Sequence, residues 1–149
     1  MSNVDLALAC FKDGCNCSQA VFSAYAPTLG PALSLDRETA LRVAAPFGGG
    51  MGRTGETCGA VSGALMVIGL RHGQYTTEDI DAKEKTYELA AEFLKRFAAR
   101  NNGCVKCRDL LGIDVGNPED QQAARDQGLF ETLCPKFVRD AAEIVEQLL

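Results

Sequence analysis

Seven cysteines and a single histidine make up most of the chain's reactive inventory, at Cys10, Cys15, Cys17, Cys58, Cys104, Cys107, Cys134 and His72. An odd number leaves at least one cysteine without a partner in the chain, and the density is too low for a small disulfide scaffold. In a reducing compartment, clustered cysteines point to metal or redox chemistry rather than to structural disulfides. One histidine leaves almost nothing for a His-rich zinc site or a Ser-His-Asp triad.

The placement of the cysteines narrows the chemistry. Cys17, Cys58 and Cys134 each fall in the first turn of a predicted helix, and Cys107 falls at the start of a shorter one. Cysteine is not a preferred capping residue, so capping does not explain the pattern. A helix start carries partial positive charge and unpaired N–H donors, which favour a thiolate over a thiol. Four buried thiolates close together would repel one another and cost too much desolvation to stay bare. They call for an iron–sulfur cluster, a single zinc or iron ion, or oxidation to disulfides. The plain alternative is that each is a small buried hydrophobe.

The other three are weaker candidates. Cys104-Val105-Lys106-Cys107 is a CxxC and could form a dithiol pair, but no strand precedes it as a thioredoxin-type site needs. Cys15-Asn16-Cys17 is only CxC, so no second CxxC completes a zinc site. Cys10 lies inside the first predicted helix and reads as packing. Cys15 and Cys104 are lesser candidates, as auxiliary thiols.

Positioning these sulfurs falls first to residues 46–73, PFGGGMGRTGETCGAVSGALMVIGLRHG. Five of the eight residues from Gly48 to Gly55 are glycine, and the thirteen from Cys58 to Leu70 carry no charge. A run of that length is too short for a bilayer, which needs about 20 apolar residues, so it reads as a buried central helix over 57–72. Thr57 is its expected cap, and Arg71, His72 and Gly73 are its stop. His72 is expected to interact with the helix dipole rather than with a ligand. Gly59 and Gly63, one turn apart, open a face to close backbone approach, within the chain or against a second subunit; the reading favours a homodimer. The loop glycines could bring N–H donors up to sulfur, an interaction that tunes a cluster's potential.

The remaining elements also read as helices separated by Gly or Pro turns. One covers residues 2–13, and Asn16 with Gln19 forms a capping box for the next, which runs to the break at Pro27. A third starts at Ser34 or Asp36 and stops before Pro46. Thr77 caps a long helix from Glu78 to about Arg100, with Glu78, Asp79 and Asp81 at its start and a stripe of Tyr87, Ala90, Ala91, Leu94 and Phe97. Short helices follow at 107–111 and 118–127, and Cys134-Pro135 opens the last. The expectation is one all-α domain over 1–149, a bundle of about six to eight helices around the central one.

Composition excludes several roles. A net charge of −5 argues against a nucleic-acid or anionic-membrane surface. No stretch reads as a signal peptide or membrane span, so a cytoplasmic location is expected. Gly50-Met51-Gly52-Arg53-Thr54-Gly55 formally matches GxGxxG, but a dinucleotide site needs a preceding strand, and Pro46-Phe47 ends a helix here. Nucleotide binding is therefore set aside, and Arg53 reads as solvated. The absence of Glu-x-x-His excludes a di-iron carboxylate bundle.

The ordered motifs Asn16-Cys17-Ser18-Gln19-Ala20-Val21, Cys58-Gly59-Ala60-Val61-Ser62-Gly63, Cys107-Arg108-Asp109-Leu110-Leu111-Gly112 and Cys134-Pro135 resemble the redox-active protein family named for its C…CGAxxG…C…C signature. The likeness spans nearly the whole chain. Related domains occur in split-Soret-type cytochromes, where an iron–sulfur site accompanies haem. The resemblance implies that Cys17, Cys58, Cys107 and Cys134 are the family's four cysteines. No haem is implied, because Arg108 stands where a C-x-x-C-H attachment needs histidine.

Two functions of different class follow. In the first, the four cysteines converge to ligate an iron–sulfur cluster, or a zinc or iron ion, for electron transfer or redox sensing with a redox partner protein. In the second, Cys58 is the nucleophile of a thiol–disulfide oxidoreductase, with Cys17 or Cys107 resolving. A structural metal-binding protein is a third.

Overall fold

The computed structural model describes residues 1–30 and 32–149 as an all-α fold. Its helices are α1 (Asn3–Lys12), α2 (Cys17–Tyr25), α3 (Arg37–Ala44), α4 (Gly59–His72), α5 (Ile80–Arg100), α6 (Cys107–Leu111), α7 (Pro118–Asp126), α8 (Leu129–Thr132) and α9 (Cys134–Leu148), with 3-10 turns at Ala26–Thr28 and Ala45–Phe47. These segments among the described residues fit the expected helical bundle; the one not anticipated is α8, of four residues. None is long and apolar enough to cross a membrane.

Side-chain caps set most helix starts. Ser2 with Asp5, and Asn16 with Gln19, form capping boxes for α1 and α2; Asp36, Asp79 and Asn117 cap α3, α5 and α7. Two expected caps move. Asp79, not Thr77, caps the long helix, since its carboxylate reaches the Ala82 amide at 3.0 Å. Thr57 does not cap α4: its backbone forms the isolated antiparallel bridge with Lys106, and Cys58 takes the cap position without a side-chain cap bond.

α4 is the centre of the bundle, packed against α2, α5 and α9. The Gly63 backbone meets α2 so closely that a Cβ there would lie 2.7 Å from the Ser18 carbonyl oxygen. The Gly59/Gly63 face is thus occupied within the chain. On α5 the buried residues are Phe93 and Phe97, whereas Tyr87 is 63% exposed. The stripe therefore centres on the 93/97 pair, and Tyr87 is not part of it.

The entrance to α4 is a left-handed turn. From Gly49 to Arg53 five consecutive residues have positive φ, including the non-glycines Met51 (64°) and Arg53 (61°). Such backbone costs roughly 1–2 kcal/mol for each L-residue with a side chain. It is held by hydrogen bonds that reach back, from the Gly52 amide to the Pro46 carbonyl at 2.7 Å and from Arg53 to Gly48 at 3.1 Å.

Candidate four-cysteine redox site

Cys17, Cys107 and Cys134 are the first residues of α2, α6 and α9, and Cys58 is the residue from which α4 starts. The four line one cavity of about 210 Å³. Cys58, Cys107 and Cys134 are buried and Cys17 half-buried. Apolar walls come from Phe11, Leu110, Leu111, Val115, Phe130 and Phe137; polar ones come from Asn16, Arg53, Gln121 and Arg125, with Gly49 and Gly50 at the left-handed turn.

Local backbone pairing aims each sulfur. The Asn16 side chain accepts from the Gln19 amide at 2.9 Å and donates to the Ala45 carbonyl at 2.9 Å, fixing the start of α2 against the α3 exit. The segments before Cys58 and Cys107 pair through the Thr57–Lys106 bridge. Outside this clamp Arg108 bonds Glu56 at 2.7 Å. Gly50 packs beneath it: a Cβ there would lie 2.5 Å from the Glu56 carbonyl and 2.8 Å from Cys107 Cβ. With φ at +70°, only glycine fits.

The sulfurs polarise one another. The neighbouring Cys17 thiol, then the Ala60 and Val61 amides at the start of α4, hold the Cys58 pKa below its ordinary value against the opposing effect of burial. Neither amide reaches the sulfur in good hydrogen-bond geometry, so the effect is that of nearby donors and the helix start. Cys17 is pushed well above the ordinary value by Cys134, Cys58 and burial. Burial, then the charges of Cys58, Cys134 and Asp114, pushes Cys107 up to about 12. The arrangement therefore favours ionisation of Cys58 over that of Cys17 and Cys107.

Among the described residues no three His, Cys, Asp or Glu side chains gather closely enough to hold one metal ion. A tetrahedral zinc with Zn–S bonds of about 2.3 Å would need sulfurs about 3.8 Å apart. The four sulfurs border a shared cavity.

The other cysteines lie elsewhere. Cys10 and Cys15 form a disulfide with Cα atoms 5.4 Å apart, so Cys10 is neither plain packing nor Cys15 a free thiol. The physical reason is geometric: the chain reverses at Gly14 (φ 111°) and carries Cys15 back to the last turns of α1. Cys104 is half-buried outside the cavity, its thiol directed at the Asn102 carbonyl, so the CxxC is split between inside and outside. Arg53, although exposed, borders the cavity rather than standing apart from it. Gln121 and Arg125 were not among the expected site residues; their i, i+4 spacing on the polar helix α7 is the one signal that places both on the same face.

No curated protein and no solved structure matches the chain. A family model described as "Putative redox-active protein (C_GCAxxG_C_C)" matches residues 15–148. Its label sets glycine before the second cysteine, where this chain has Thr57-Cys58-Gly59-Ala60. A match over that span, with four cysteines around one cavity, means that the chain belongs to this redox-active protein family.

Proposed function

We propose that this is a cytoplasmic redox protein whose Cys17, Cys58, Cys107 and Cys134 hold an iron–sulfur cluster for electron transfer or redox sensing with a partner protein. The observation that carries the reading is the convergence of four helix-start cysteines on one cavity. When bound, a cluster would supply one-electron chemistry. The chain's own contribution is to offer four sulfurs, exclude bulk water with Phe11, Phe130 and Phe137, and offset negative charge with Arg53 and Arg125. A single zinc or iron ion is the lesser alternative.

The test is an anaerobic preparation assayed for iron, sulfide and zinc, with visible spectra of Cys→Ser variants at all four positions. Iron and sulfide together, lost in each variant, are expected. A colourless, metal-free protein whose variants match wild type would sink the reading.

A second reading draws on the polarisation of Cys58 by Cys17. In it, the Cys58 thiolate attacks a substrate disulfide, forming a mixed disulfide and releasing one substrate thiolate. Cys17, after losing its proton, attacks Cys58 Sγ, giving a Cys17–Cys58 disulfide and the second substrate thiol. Slow, uniform alkylation of all free thiols in the metal-free protein would count against it.

A further inference from the structure

We propose that the Cys10–Cys15 disulfide is a second, separate redox centre that exchanges with a dithiol reductant, with Arg37 stabilising the sulfur that leaves. The pair closes a sequence separation of only five residues, the kind of loop in which a cross-link removes least chain entropy. A staple is thus a weak reason for its presence. Given the cytoplasmic location proposed above, the compartment is reducing, and disulfides that do form there serve mainly catalysis or sensing.

The surroundings of the two sulfurs differ in a way that orders the reaction. Cys15 is half-buried, whereas Cys10 is 6% exposed. Nη2 of Arg37, from the start of α3, donates to Cys10 Sγ at 3.6 Å, and the Ser23 hydroxyl of α2 lies 3.8 Å from the same sulfur. A disulfide sulfur gains little from such donors; a thiolate gains a charge-assisted bond. Cys10 also borders a surface depression shared with Asp13, Ser23 and Arg37, so a thiolate released there is solvated rather than stranded. Cys10, Asp13, Cys15, Ser23 and Arg37 do not line the four-cysteine cavity, although Phe11 and Asn16 beside the two cysteines do.

The exchange balances without any other group. A thiolate of the dithiol attacks Cys15 Sγ, a bond forms between them, and the Cys10–Cys15 bond breaks with its electron pair on Cys10. The second thiolate of the dithiol then attacks its own bound sulfur, closing the oxidised reductant and releasing Cys15 as thiolate. Two electrons pass to the protein, and water supplies protons to the new thiols.

The test treats the full chain with graded dithiothreitol, quenches in acid, alkylates, and reads each cysteine peptide by mass spectrometry, with circular dichroism alongside. Cys10 and Cys15 are expected to gain two labels while the helical signal is unchanged, and to lose them again in oxidised dithiothreitol. Arg37→Gln slows opening about tenfold by removing the charged donor, Arg37→Lys recovers part of it, and Arg42→Gln, one helix turn away, leaves the rate at wild type. Opening only with loss of helicity, or an Arg37→Gln rate equal to wild type, overturns the proposal. Because the readout is confined to Cys10 and Cys15, a protein lacking any cluster at the other cysteines still gives a clear result.

Discussion

Cys58 and Cys107 are the first residues beyond a single antiparallel bridge, one on each side, and their backbone amides close it by donating to Val105 at 2.9 Å and Glu56 at 2.7 Å. Two helix starts are therefore joined through backbone, independently of what their sulfurs bind. The separation of these sulfurs is set before any ligand arrives, which lowers the ordering cost of binding one. Gly50 beneath the clamp and Glu56–Arg108 outside it fix the same pair.

Two substitutions of one kind in α4 have opposite signs. Gly63→Ala would set a Cβ 2.7 Å from the Ser18 carbonyl and force α2, with Cys17, away from α4. A loss of about 2–3 kcal/mol is expected, the scale of overpacking a close core contact. Gly69→Ala meets nothing within 4 Å and gains about 0.5–1 kcal/mol from reduced backbone freedom in the unfolded chain. Urea unfolding of both variants checks the contrast; equal effects would show that the α2–α4 contact is not tight.

Thiol ionisation gives the metal-free, reduced protein an asymmetric pH profile. Cys107 titrates near 12 in the fold against an ordinary 9.0, so its stabilising contribution is complete below pH 9 and is lost as pH rises from 9 toward 12. Cys17, also raised, acts in the same direction. Cys58 runs oppositely: with its folded pKa lowered, its contribution is present above 9.0 and is lost as pH falls through the folded value. Alkylation at neutral pH should label Cys58 ahead of Cys17 and Cys107. Stability measured across the alkaline range should fall, and the fall should shrink in Cys107→Ser.

Asn16 is a single side chain on which the aim of Cys17 depends. Its oxygen accepts from the Gln19 amide and the Ser18 hydroxyl, and its nitrogen donates to Ala45. Asn16→Ala removes all three and should cost about 1–2 kcal/mol, as lost caps do. Asn16→Asp keeps the cap but not the donor to Ala45, and should fall between. Thermal unfolding orders the three proteins, and faster alkylation of Cys17 in Asn16→Ala separates a positioning role from a merely structural one.

Helix starts were legible in the sequence wherever a side chain caps the backbone, as at Asn16, Asp36 and Asn117, because that chemistry is local. The same logic located Cys17, whereas the starts at Cys107 and Cys134 carry no side-chain cap and are legible from the flanking glycines and Pro135 instead. It failed at Thr57, where a pairing partner 49 positions along the chain, Lys106, outcompetes capping. Cys10 and Cys15 were missed because helical spacing says nothing of a reversal at Gly14. The α5 stripe slipped because Tyr87 has the polarity of a core residue but sits where no neighbouring helix covers it. Gln121 and Arg125 share a face of α7 by their i, i+4 spacing, but only tertiary packing turns that face toward the cavity.

Asp140 ties together the far ends of the segments that carry Cys107 and Cys134. Its buried carboxylate accepts from Lys136 Nζ at 2.6 Å, Asn101 Nδ2 at 3.2 Å and Arg100 Nη1 at 3.3 Å. Asn101 ends α5 just before the stretch leading to Cys107, and Asp140 lies two turns into α9 beyond Cys134. Removing the anion takes away the shared acceptor, but Arg100 keeps Glu143 and Lys136 keeps the Arg100 carbonyl and Asn101 Oδ1. Asp140→Ala should therefore cost about 1–3 kcal/mol, the scale for hydrogen bonds lost at a buried group. Asp140→Asn keeps one acceptor oxygen and should cost less. If the network positions the site, hydrogen exchange at the Cys107 amide accelerates in Asp140→Ala more than at amides in α1; equal acceleration at both would mean that the residue contributes only global stability.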